Sequence, residues 1–117
     1  MDAKYILWCD IQDVIGNASQ WPKEMRRLFW TKNVTHWNRI MLATFVFVNG
    51  LNPTIFLEWV DCMSLAKEIS SRNHFKYLLN IFEKNPSRYS FYARNVCQNE
   101  WQHLDGKVKH YLKVHEE

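Results

Sequence analysis

Basic and aromatic side chains alternate between residues 22 and 39, and this segment holds the residue types best suited to binding chemistry. Five basic residues and one acidic residue fall there. Lys and Arg neutralise phosphates, while unpaired bases stack on aromatic rings. The segment therefore predicts a nucleic-acid contact surface formed by Lys23, Arg26, Arg27, Trp30, Lys32, His36 and Arg39.

A simpler interpretation of the same segment is the solvated outer face of an amphipathic helix. The formal net charge is only +3, and the pI of about 8.8 lies below the value of about 9 that nucleic-acid-binding domains often exceed. We therefore favour the simpler interpretation and keep nucleic-acid binding as the alternative.

Large aromatic side chains are abundant along the whole chain. Six Trp, five Tyr and seven Phe residues occur among 117, more than one small core requires. Exposed aromatic patches on an ordered domain usually mark protein interfaces. The leading hypothesis is a non-enzymatic module that binds another protein or a second copy of itself, through contacts expected at Trp8, Phe91, Tyr92 and Trp101.

Two carboxylate pairs could hold a hard cation. Asp10 and Asp13, like Glu58 and Asp61, are three residues apart, which places each pair on one helix face. Carboxylate bundle enzymes hold Mg²⁺ in this way. A carboxylate-metal hydrolase is nevertheless a distant third interpretation, because nothing else supplies a base, a nucleophile or a phosphate loop.

Cysteine and histidine spacing indicates no metal or redox site. Cys9, Cys62 and Cys97 form no CxxC pair, and none of the five histidines has zinc-ligand spacing relative to them. We expect reduced thiols, no metal, no cofactor and an intracellular protein, cytoplasmic or nuclear. The apolar run 40–48 is too short for a membrane span, so no membrane partner is expected.

Apolar periodicity and stop signals predict an all-α fold. Asp2 and Gly16 bracket a first helix over about residues 3–15, and Pro22 begins a second. Asn52 and Pro53 begin a fourth, while Ser64 and the Ser70–Ser71 pair predict breaks before a fifth.

The third predicted helix has the strongest apolar character. Thr35 caps it, and both of its faces are apolar over residues 36–48, so it should be the buried centre of a bundle of five to seven helices. Its core stripe is expected to consist of Trp37, Ile40, Met41, Thr44, Phe45 and Val48.

The last third of the chain is ambiguous. Residues after 86 fit a helical face, but residues 89–96 are aromatic enough for a strand, and Asp105–Gly106 could form a hairpin turn. No linker is visible, so the chain is predicted to be a single domain over residues 1–117, the whole protein or the N-terminal domain of a longer one.

Overall fold

The computed structural model describes residues 2–84, apart from the Val48 side chain, and this part of the chain is all-α. The expectations for residues 85–117, including the choice between helix and hairpin and the contacts at Phe91, Tyr92 and Trp101, lie outside the described residues. A single 3₁₀ turn spans Ala18–Gln20. The helices are α1 (Ala3–Ile15), α2 (Lys23–Leu28), α3 (His36–Val48), α4 (Pro53–Met63) and α5 (Ile69–Lys84).

Polar side chains cap three of these helices as the sequence predicts. The Asp2 carboxylate accepts from the backbone N–H of Lys4 at 3.1 Å. The Thr35 hydroxyl accepts from the N–H of Asn38 at the start of α3. The Asn52 side chain accepts from the N–H of Thr54 at 2.8 Å. Because the first N–H groups of a helix have no partner inside it, these caps fix where each helix begins.

Helices α1 and α4 each end at a residue whose φ angle is positive. Gly16 has φ 102° and ψ 169°, a combination that is almost confined to glycine, so the predicted end of α1 is confirmed. Ser64 ends α4 in the left-handed conformation with φ 55°, as predicted. The break predicted at Ser70–Ser71 is wrong, because both residues lie in the first turn of α5.

Helix α3 is the buried element of the fold, as predicted. It packs against α2, α4 and α5, and residues 40–46 are all buried. Its first turn differs from the prediction, because Trp37 is 58% exposed rather than part of the core. Within residues 2–84 the ring contact of Trp37 is with its neighbour His36, so the apolar periodicity continues past the surface that the described helices cover.

Helices α2, α4 and α5 pack against α3, whereas α1 packs mainly against α4. Contacts of Arg39 with His74 and of Phe47 with Phe82 show that α3 and α5 run parallel. The loops joining the helices are tied together by backbone hydrogen bonds, from the N–H groups of residues 33 and 34 to the carbonyls of residues 64 and 65, at 2.9 and 2.8 Å. These bonds hold the start of α3 beside the start of α5.

Candidate binding surface

Tryptophan and phenylalanine rings form one cluster between α1, α2 and α4. The Trp8 ring stacks on Trp59 at 5.1 Å between centroids and contacts the edges of Trp21, Phe29 and Trp30 at 5.0 to 6.1 Å. Pairs of this geometry contribute roughly 0.5 to 1.5 kcal/mol each beyond the area that they bury. The abundance of Trp therefore serves the core in large part.

The Trp8 ring, proposed from the sequence as part of an exposed contact surface, is half-buried in this cluster. Residues 8, 11 and 15 share the covered face of α1, whereas Val14 is 42% exposed. We remove Trp8 from the candidate contact surface.

A groove lies along the exposed side of α2 and the turn that follows it. Its volume is about 920 Å³, within the range of about 300 to 1,000 Å³ that is common for ligand sites. The Trp30 ring is 40% exposed and forms part of the wall. The described residues that line this groove, called the α2 groove below, are Pro22, Lys23, Glu24, Arg26, Arg27, Trp30 and Thr31.

Positive charge is unevenly compensated in the α2 groove. Arg27 binds Glu24 through both carboxylate oxygens, with Nε to Oε2 at 3.1 Å, and this pairing lowers the pKa of Glu24. Within residues 2–84, Lys23 and Arg26 pair with no carboxylate. The Lys4 ammonium lies 5.4 Å from the centre of the Trp30 ring. The groove therefore carries excess positive charge beside an indole.

Two residues expected on the basic surface lie elsewhere, in a cluster with His74 of α5. The Arg39 guanidinium donates from Nε to His74 Nδ1 and from a terminal nitrogen to the Val34 carbonyl, both at 2.9 Å. The His36 ring stacks on His74 with centroids 4.7 Å apart. Arg39 thus connects α3 to α5, and its guanidinium is engaged by His74 and the Val34 carbonyl. We therefore remove Arg39 from the proposed basic contact surface.

The structure accordingly divides the seven residues proposed for nucleic-acid contact. Lys23, Arg26, Arg27 and Trp30 share the α2 groove, whereas Lys32 lies exposed in the turn before α3. Sequence reasoning missed Lys4, although its position one turn before Trp8 in α1 places both on one face. It also missed His74, for which no local signal exists.

The His74 contact predicts a pH-dependent stability. Burial, Arg39 and His36 lower the pKa of His74 to about 4, below the ordinary value of about 6.5. The unfolded chain therefore binds a proton more readily than the folded chain between these pH values, so stability falls as the pH falls from about 6.5 to 4. Because the ring is partly exposed, we expect a loss of only about 1 to 2 kcal/mol.

Urea unfolding at pH 7.5 and pH 4.5 measures this loss. The control is His74→Asn, whose amide oxygen can still accept from Arg39 but does not titrate. Carboxylates contribute the same pH dependence to both proteins, so the difference between them isolates His74. Equal losses in the two proteins would contradict the assignment.

The carboxylate pairs do not form a metal site in the described part of the chain. The Asp61 carboxylate forms an ion pair with Arg72 of α5 through two hydrogen bonds, of 2.8 and 3.0 Å. Asp10 and Asp13 are exposed on α1. Over residues 2–84 no three His, Cys, Asp or Glu side chains converge on a point that could hold a metal ion. In the same residues no helix is long and apolar enough to cross a bilayer.

The chain gave no significant match to models of protein families, to curated proteins or to solved structures.

Proposed function

We propose that this chain is a non-enzymatic intracellular interaction module that binds a protein, either a different one or a second copy of itself, through the α2 groove. The observation that carries the proposal is the half-exposed Trp30 indole beside Arg26 and Lys23 in a groove of ligand-site size. Trp and Arg are the residues most enriched among binding hot spots. The expected contact surface thus moves from Trp8 to Trp30.

The chemistry of the α2 groove supports binding over catalysis. Its described side chains are two cations without a carboxylate partner, an Arg–Glu pair, an indole, a proline ring and the Thr31 hydroxyl. The pairing with Arg27 lowers the pKa of Glu24, which makes this carboxylate a weak base, and the Thr31 hydroxyl donates to the Arg27 carbonyl instead of to a base that would activate it as a nucleophile. Such a groove can orient and hold a partner but offers no atom to carry a covalent step.

Site-specific photo-crosslinking tests the proposal. A photoreactive amino acid at position 23, at the edge of the groove, should capture one dominant protein from source cells or a second copy of the chain. The same amino acid at position 58, which is exposed on α4 and does not line the groove, is the matched control and should not. Equal capture from both positions, or none from position 23, would rule out the groove as the contact surface.

Binding of nucleic acid is the second candidate for the same groove, supported by the indole among cations. Fluorescence anisotropy titrations with mixed-sequence DNA and RNA at low salt distinguish nucleic-acid binding from protein binding. If phosphates bind Lys23, Arg26 and Arg27, the slope of log affinity against log salt should shrink by about one for each charge removed. No binding below about 100 μM, the weak end of non-specific association, would eliminate this candidate.

A further inference from the structure

The two cations of the α2 groove that lack carboxylate partners point to the chemistry of its occupant. Lys23 is exposed and Arg26 is half-buried at the groove wall, and in the described part of the chain neither pairs with an acid. A charged group that is partly removed from water without a counter-ion gains most from a partner that supplies one. The groove therefore favours a negatively charged ligand.

The apolar part of the groove adds a second requirement. Pro22 and the exposed face of Trp30 line it together with the hydrocarbon stems of Lys23 and the arginines. The Trp30 ring is held in place on its other sides by Trp8 and Trp59, at 5.0 and 5.1 Å between centroids. A ring fixed in this way is a rigid wall against which a bulky apolar side chain can pack at low entropic cost.

A polypeptide satisfies both requirements better than a nucleic acid does. Among the described residues that line the groove, Trp30 alone offers an indole, whereas a single strand stacks successive bases on several rings. The two groove cations that lack a carboxylate partner within residues 2–84 are also fewer than the roughly 6 to 10 phosphate contacts that give strongly salt-dependent binding. Arg39 and His36, which would extend the basic surface, instead contact His74.

We propose that the occupant of the α2 groove is an acidic segment of a partner protein, in which Asp or Glu residues flank one aromatic or large aliphatic side chain. This inference rests on the proposed function, and it adds the class of ligand. The partner's carboxylates pair with Arg26 and Lys23. Its apolar side chain packs on Trp30 between Pro22 and the stems of the basic residues.

Selection from a random peptide library tests the proposal, because such a library contains every composition. Random 12-residue peptides displayed on phage are selected on the full chain, on Arg26→Glu and on Lys67→Glu, a charge reversal at an exposed position between α4 and α5. We expect acidic sequences with one apolar residue to be enriched on the wild-type chain and on Lys67→Glu, and to be lost on Arg26→Glu.

Affinity measurements on the most enriched peptide complete the test. Trp30→Ala and Arg26→Gln should each weaken its binding by about tenfold or more, as expected of hot-spot residues, with circular dichroism confirming that both variants are folded. Enrichment of neutral or basic peptides, equal enrichment on Arg26→Glu, or no enrichment would overturn the acidic ligand. If position 23 nevertheless gave a dominant crosslink, the proposed protein-binding function would remain supported and only the acidic class of ligand would be rejected.

Discussion

Replacing Phe45 by alanine should lower the free energy of unfolding by about 3 to 5 kcal/mol, since the lost apolar contacts leave a cavity. Phe45 is fully buried in the C-terminal half of α3, and its ring contacts Trp21 and Phe29 at centroid distances of 5.5 and 6.2 Å. Domains of this size are stable by only about 5 to 15 kcal/mol. Urea unfolding followed by circular dichroism gives the change.

The matched control lies on the same helix. Trp37→Ala removes a larger side chain, but that side chain is 58% exposed and its described ring contact is with His36. We expect its cost to stay within about 0.5 to 1 kcal/mol, as for other surface substitutions. If Trp37→Ala were the more damaging change, the packing direction assigned to α3 would be wrong.

Local signals explain why the helices could be predicted from the sequence. Caps at Asp2, Thr35 and Asn52 act on N–H groups two or three residues away, so short segments of sequence contain the whole interaction. Gly16 likewise fixes a backbone conformation by its own lack of a side chain. Such residues predicted both ends of α1 and the start of α3, whereas none of them predicted the start of α5.

Helical spacing also explains the partial success for the α2 groove. Lys23, Arg26 and Arg27 are three and four residues apart and so share one face of α2. The groove itself was not predictable, because its far wall depends on how the turn after Leu28 places Trp30 beside α1. The same tertiary placement brings Lys4 of α1 over the Trp30 ring.

Long-range contacts account for what the sequence could not show. Arg39 and His74 are 35 residues apart, and the exposed end of the α3 stripe at Trp37 depends on where α5 begins. Apolar periodicity identifies a face but not the length of it that a neighbour covers. Trp37 was predicted to be buried for this reason, and the partial burial of Trp8 likewise depends on a distant residue, Trp59 of α4.

The second large effect concerns a hydrogen bond inside the aromatic cluster. Trp59 is fully buried, and its indole Nε1 donates to the Phe29 carbonyl at 2.8 Å. Trp59→Phe keeps most of the apolar volume but leaves that buried carbonyl without its donor, which costs about 1 to 3 kcal/mol. With the smaller ring also packing less well against Trp8, we expect a total loss of about 2 to 4 kcal/mol in urea unfolding.

Trp21→Phe provides the comparison that separates the hydrogen bond from the ring. The Trp21 indole donates to the Gly16 carbonyl at the same distance, 2.8 Å, but Gly16 is exposed, so water can replace the lost donor. Both substitutions delete the same atoms from an aromatic cluster. Trp59→Phe should therefore be more damaging by at least about 1 kcal/mol, the cost of a buried acceptor left unpaired. Equal losses would mean that the Phe29 carbonyl finds another donor and that packing alone makes Trp59 important.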